Sequence, residues 1–356
     1  SGVWIMAYTT IDKPSDYFTT KLFTGNGGTN AITGVGFQPD WIWFKNRTSA
    51  QSHAIVDSVR GREGLQSNVD EADYTLNSGK DFGTFDSDGF TVLTPEQLNS
   101  FNYNTGSIVA WNWKAGTSFT NDASSTSIGS IDSAGSVSDI SGFSIVSFTG
   151  TGSNGTIKHG LSTAPNLFII KRLDADNDWR VGSSALTNFV KHVNLNTTAV
   201  ESDLAAAFNS TGPTTSVFSV GTSVSTNADG GTYIAYCFSS IKGYSKVGSY
   251  TGNGSTDGTF SFTGFKVGWL MVKRTDSANS WIIMDNKRTT FNPMGEELKA
   301  EVSDAGNVAT RWDQLSNGFK LRNAGGAVNA SGGTYIYMAF AENPFVTSTG
   351  VPATAR

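Results

Sequence analysis

Short runs of apolar and β-branched residues, broken at close intervals by glycine, asparagine and aspartate, recur along the whole chain. Trp41-Ile-Trp-Phe-Lys45 and Ser107-Ile-Val-Ala-Trp-Asn-Trp113 each place two tryptophans at i and i+2, which share one face of a strand. The runs fall into a threefold pattern. Phe23-Thr24-Gly25-Asn26-Gly27, Phe148-Thr149-Gly150-Thr151-Gly152 and Tyr250-Thr251-Gly252-Asn253-Gly254 each open a repeat. An aromatic strand closes each one: Phe23 to Trp113, Phe148 to Phe238 and Tyr250 to Phe340 all span 90 positions. Between these marks come a strand ending in Lys45, Lys171 or Lys273, a polar turn, and a second apolar strand beginning at His53, Trp179 or Trp281. That order predicts a hairpin in each repeat.

The spacing predicts an all-β chain of three tandem β-sandwich domains, of jelly-roll or concanavalin-like type. The boundaries expected are a lead-in over 1–20, repeats over 21–114, 142–240 and 243–343, and a strandless tail over 344–356. Residues 115–141 contain mostly Gly, Ser, Thr, Ala and Asp and read as a flexible linker. Its reach as a coil is about 30 Å, enough for the first repeat to sit apart from the other two. Glu201–Phe208 and Gly295–Glu301 read as single helical turns. Met6 followed by Ala7 reads as a native start, with residues 1–5 as an upstream extension.

Composition narrows the partners. Forty glycines and only 15% charged residues suit β-domains with many tight turns. A net charge of −5 gives no footprint for nucleic acid or an anionic membrane. The one cysteine, Cys237, lies in Tyr233-Ile-Ala-Tyr-Cys-Phe238 and reads as a small buried hydrophobe. Neither an 18-residue apolar run nor a signal-peptide pattern is present in the sequence.

Candidate chemistry is sparse. His53, His159 and His192 occupy different landmarks in different repeats, which predicts structural roles. The Gly-x-Gly openings are followed by strands, so a turn explains them better than a phosphate loop, and no cofactor is expected. Asp174, Asp176 and Asp178 match the first positions of a calcium loop, but Trp179 and Ala185 stand where that loop needs Gly and Glu. A solvated turn is the simpler reading. Trp41, Trp43, Trp111 and Trp113 have apolar neighbours and are expected to face inward, while Tyr74, Tyr103 and Trp312 are the candidate ligand-facing aromatics. Asp86, Asp88, Glu296 and Glu297 are the scattered carboxylates a glycosidase would have to use.

Several segments together carry a resemblance: the Thr-Gly-Asn-Gly opening, Gly36-Phe-Gln-Pro-Asp-Trp-Ile-Trp-Phe-Lys-Asn-Arg47, His53-Ala-Ile-Val-Asp-Ser-Val-Arg-Gly61, Ser87-Asp-Gly-Phe90 and Gly333-Thr-Tyr-Ile-Tyr-Met-Ala-Phe-Ala341. The combination resembles a repeated domain of unknown function found in structural proteins of tailed bacteriophages, especially those of marine bacteria. The second repeat departs from it at Thr151 and Leu161. The resemblance implies a non-enzymatic virion protein of the tail, fibre or head surface. Implied partners are further copies of itself in a homo-oligomer such as a trimer, other virion proteins and a host-surface glycan or protein. A lectin or a tailspike-like polysaccharide depolymerase is the alternative.

Overall fold

A computed structural model describes residues 7–354, so the start expected at Met6 lies outside the described residues. The chain is nearly all β, in antiparallel sheets. In the first repeat the opening strand Phe18–Thr24, the closing strand Ser107–Trp113, Trp41–Asn46 and Ala54–Asp57 lie side by side in that order. The third repeat keeps the order with Ser245–Thr251, Thr334–Pro344, Phe265–Arg274 and Ile282–Asp285, then adds Glu296–Lys299 and Asn307–Val308. The second has Phe143–Thr149, Thr232–Phe238, Leu167–Arg172, Arg180–Ser183, Lys191–Asn194 and Ser202–Asp203. The hairpin expected in each repeat forms, with Trp43 opposite Ile55, Ile169 opposite Val181 and Met271 opposite Ile283.

Both faces of the central strands of each large sheet are covered, which is why Trp41–Asn46, Leu167–Arg172 and Phe265–Arg274 read as nearly continuous apolar runs. On one face, Ile42, Phe44 and Ala110 pack with Ile32, Phe90 and Val92 of a smaller sheet, and the other repeats have matching clusters. The opposite faces meet one another. Trp41, Trp43, Trp111 and Trp113 share a single core with Ile169, Tyr236 and Phe238 of the second repeat and Trp269, Met338 and Phe340 of the third. The closing aromatics converge there, with ring centroids 6.5 Å apart for Trp113 and Phe238, 5.7 Å for Trp113 and Phe340, and 6.1 Å for Phe238 and Phe340. The four tryptophans of the first repeat are fully buried, as their apolar neighbours predict.

This arrangement corrects the linker. Thr117–Asn121 and Ser133–Ser138 form a hairpin that extends the sheet of the second repeat, Ser133–Ser138 pairing with the opening strand from Ser133 opposite Phe148 to Ser138 opposite Phe143. Small residues are required there: a Cβ on Gly135 would lie 1.9 Å from the Ile145 carbonyl oxygen. Between the two strands Asp122 caps a helical turn, accepting from the Ser125 N–H at 3.0 Å. An existing sheet edge supplies the backbone partners that the segment could not obtain alone. The first repeat therefore does not sit apart.

Other boundaries move by less. The opening strand begins at Phe18, inside the expected lead-in, and the final closing strand runs through Pro344. Ala205–Phe208 is a helical turn, but Glu296–Lys299 is a strand, with Ile283 opposite Leu298. Burial of Glu297 beside Arg311 and of Leu298 in the core overrides the local preference. The tail folds back, Thr347 N–H donating to Val351 O at 2.9 Å, and is tied to the lead-in where Ser348 N–H donates to Asp12 at 2.6 Å.

Candidate functional site: the joints between repeats and the clefts beside them

The lysine one residue before the end of the central strand of each repeat is buried and aimed at the neighbouring repeat. Lys45 Nζ donates to the backbone carbonyls of Gln51 at 2.7 Å and Ser303 at 2.9 Å. Lys171 donates to Asn177 at 2.9 Å and Asp70 at 3.0 Å, and Lys273 to Asn279 at 2.6 Å and Thr198 at 2.9 Å. Each lysine so binds a turn of its own repeat to a loop of the next, in the cyclic order first to third, third to second, second to first. Burial pulls all three down to about 8.

A second set of bonds follows the same cycle. Trp179 Nε1 donates to Gln66 O at 3.0 Å, and Trp281 Nε1 to Asn194 O at 2.8 Å. In the first repeat His53 occupies the equivalent position. Its Nδ1 accepts from Trp43 Nε1 at 2.7 Å, which fixes the proton on Nε2, and Nε2 donates to Lys299 O at 2.9 Å. Burial, and secondarily the charge on Lys45, hold this imidazole well below 6.5, so it stays neutral. His159 and His192 are likewise depressed by burial; His192 accepts from Arg180 Nη1 at 2.9 Å. A third set is backbone only: Gly306 N–H to Arg47 O, Asp73 N–H to Leu173 O, and Glu201 N–H to Thr275 O.

One position in the cycle varies. Asp57 accepts from Arg60 Nε at 2.7 Å and from the Tyr236 hydroxyl at 2.8 Å. Asp285 accepts from Arg288 Nε at 2.6 Å and Trp111 Nε1 at 2.9 Å. In the second repeat Ser183 takes the aspartate's place, and Met338, which donates nothing, stands where the other joints have Tyr236 or Trp111. The carboxylate charge and the cross-joint side-chain donor are replaced together, while the Ser183 hydroxyl still accepts from Ala185 N–H, so no orphaned charge is left.

The opening turn has a matching partner in each repeat. The Asn26, Thr151 and Asn253 N–H groups donate to the side-chain oxygens of Asn102, Asn227 and Asn329 at 3.0, 2.8 and 3.0 Å. Positive φ falls on the second glycine, at 68°, 68° and 67° for Gly27, Gly152 and Gly254. The first glycine is needed for close approach, since a Cβ on Gly25, Gly150 or Gly252 would lie 2.1, 2.3 or 2.3 Å from a carbonyl oxygen. The turn is thus a clamp on its own repeat.

Beside the joints lie surface clefts. One, of about 370 Å³, is lined by Gln66, Glu71, Tyr74, Gln97 and Leu98 of the first repeat and Asp176 of the second. Its counterpart by the third repeat, about 290 Å³, is lined by Glu297, Lys299, Asp304 and Asn307. A larger open groove of about 690 Å³ follows the opening turn of the second repeat and is lined by Ser130, Ser147 and Thr232 together with Ile131, Phe148 and Tyr233.

The structure thus brings two of the singled-out residues together and separates the rest. Tyr74 and Asp176 line one cleft. Tyr103 is exposed elsewhere, next to the opening turn of the first repeat. Trp312 is fully buried in the core of the third repeat and faces no ligand; its strand Trp312–Leu315 turns it onto Phe319. Asp174 is held by Arg172 at 2.9 Å, Asp176 accepts from Ala72 N–H at 3.0 Å, and Asp178 accepts from Asn194 and Asn196. Among the described residues no group of three such side chains is placed to hold a metal ion. Asp86 and Asp88 serve turns of the first repeat, while Glu296 pairs with Arg47 and Glu297 with Arg311. The lysine triad and the cyclic joints escaped the sequence reading, although Lys45, Lys171 and Lys273 share one landmark.

A family model described as a domain of unknown function (DUF7483) matches residues 13–344. The chain belongs to this family. The matched stretch takes in all three repeats and the Thr117–Ser138 hairpin together, so DUF7483 as represented here includes the shared core and all three joints. No curated protein and no solved structure gives a match.

Proposed function

We propose that this chain is a non-enzymatic structural protein of a tailed-bacteriophage virion, in the tail, fibre or head surface, that contributes to attachment at the host surface. We read each repeat as a small β-sandwich fused to its neighbours through the shared core. The observation that carries the reading is how the chemically capable groups are used. The buried lysines, His53 and the Asp57 and Asp285 carboxylates are all taken up in bonds that close a ring of three repeats. Such a head-to-tail contact closes on itself only when the rotation per copy completes a circle, and here three copies in one chain complete it. A rigid particle component needs that kind of order more than it needs a reactive centre. Homo-oligomer formation is part of the same proposal; copies would meet through outward surfaces, because the joint surfaces are already occupied within each chain. Quantitative mass spectrometry of purified particles of the encoding phage, with antibody labelling under the electron microscope, is expected to find the chain at a fixed copy number and location. Its presence in the lysate but absence from washed particles would overturn the reading.

A further inference from the structure

We propose that the cleft at the joint of the first and second repeats binds an uncharged saccharide; this rests on the host-attachment reading and gives it a ligand class. Three equivalent outer strand pairs flank the three joints, and they differ in what fills them. Tyr74 lies opposite Gly64, Ser202 opposite His192, and Asn307 opposite Glu297. The second pair is closed by Arg180, which donates to His192 and, at 2.6 Å, to Asn194. At the third, Arg311 donates to Glu297 at 2.6 Å, which puts a guanidinium against the pair, and the cleft beside it is lined mainly by charged and polar side chains without an aromatic among the described residues. In the first, Gly64 offers no side chain, and the Tyr74 ring lies where its Cβ would be, 2.7 Å from Cε2 and Cζ.

The first cleft therefore keeps an aromatic and aliphatic floor, Tyr74 and Leu98, under an exposed polar rim of Glu71, Gln97 and Asp176. Asp176 Oδ1 accepts from Ala72 N–H at 3.0 Å and Glu71 Oε2 from Gln66 Nε2 at 3.3 Å, which fixes the rim and leaves each carboxylate a second oxygen as acceptor. Acceptors above an apolar floor match a ligand with hydroxyl donors on its edge and C–H groups on its face. Among the described residues no basic side chain lines the cleft, so the carboxylates disfavour an anionic sugar. Because Asp176 comes from the second repeat, the rim is complete only when the joint is closed.

The test is saturation-transfer NMR and titration on the intact chain with maltohexaose, cellohexaose, the N-acetylglucosamine hexamer and, as an anionic probe, oligogalacturonate. Binding of at least one neutral oligomer is expected, weakened about tenfold by Glu71→Ala and by Gln97→Ala, each loss being that of one hydrogen bond. Both positions are exposed, so the variants keep the fold. Asn307→Ala in the third cleft is expected to leave binding unchanged. No neutral oligomer bound, preference for oligogalacturonate, or binding indifferent to both first-cleft variants would each overturn the proposal. The particle analysis above is independent of this titration, so a chain found on virions that binds no sugar would sink the cleft and leave the structural reading standing.

Discussion

Lys45, Lys171 and Lys273 put a charge inside the protein with no carboxylate in direct contact among the described residues, and backbone carbonyls do the work an anion would otherwise do. Replacing Lys171 by Met leaves the Asn177 carbonyl without its donor and the Asp70 carbonyl with the Asn177 N–H alone, and is expected to cost about 1–3 kcal/mol in denaturant unfolding. The pH dependence has a definite sign. Each lysine titrates at about 8 in the fold against an ordinary value of 10.5, so between those values the unfolded chain holds more protons. The burden of the buried charge is full below pH 8 and lifts as pH rises, so stability relative to Lys171→Met should increase from pH 7.5 to 9.5. A constant or shrinking difference would contradict the assignment. Tyr74 gives the converse case. Its hydroxyl is buried without a hydrogen-bond partner among the described residues, and burial raises its pKa well above the usual phenol range. Tyr74→Phe should gain roughly 1 kcal/mol by removing an unsatisfied group; a drop in Tm would mean that the hydroxyl has a partner.

At the scale of elements, the opening turn and the added hairpin teach opposite lessons. The turn was legible because its glycines recur at fixed spacing, but the sequence assigned them only a turn conformation. Its second half, Asn102, Asn227 or Asn329, lies 76 positions downstream and is reached only through the sheet. Asn227→Ala is expected to destabilise by about 1–3 kcal/mol through the loss of that side chain's bonds to Thr151 N–H, Gly221 O and Ser153 O. Gly150→Ala should cost at least as much, since its Cβ meets the Ala228 carbonyl. Thermal unfolding of both variants checks this, and a neutral result for either removes the clamp. The Thr117–Ser138 hairpin was illegible because its stability is not its own: Gly135 and the serines around it suit a strand only when pressed against Phe143–Thr149. Glu296–Lys299 misled for the same reason, its helical preference yielding to a place beside Ile282–Asp285.

At the scale of the molecule, three inner sheet faces meet in one core, so the repeats are expected to unfold together. Calorimetry should give a single transition whose van't Hoff and calorimetric enthalpies agree. Trp113→Ala, which removes a ring touching both Phe238 and Phe340, should lower that single transition by about 3–5 kcal/mol without splitting it. Resolved transitions in the unmodified chain would show that the shared core couples the repeats weakly. The variable joint fits the same picture: Asp57 faces Tyr236 and Asp285 faces Trp111, while at the remaining joint Ser183 carries no charge and Met338 no side-chain donor.

By itself, the sequence determined the all-β class, the threefold repeat and the opening, central and closing strands within it, because periodicity and turn residues are local signals. Tyr74 and Asp176 could be singled out by residue type alone. Only the tertiary structure decided that they share a cleft, that Trp312 is core, that the closing aromatics meet, and that each lysine serves its neighbour. Those outcomes depend on which surfaces of distant repeats come together. Burial of the inward tryptophans required some such surface, but nothing in a strand's own pattern says whose it is.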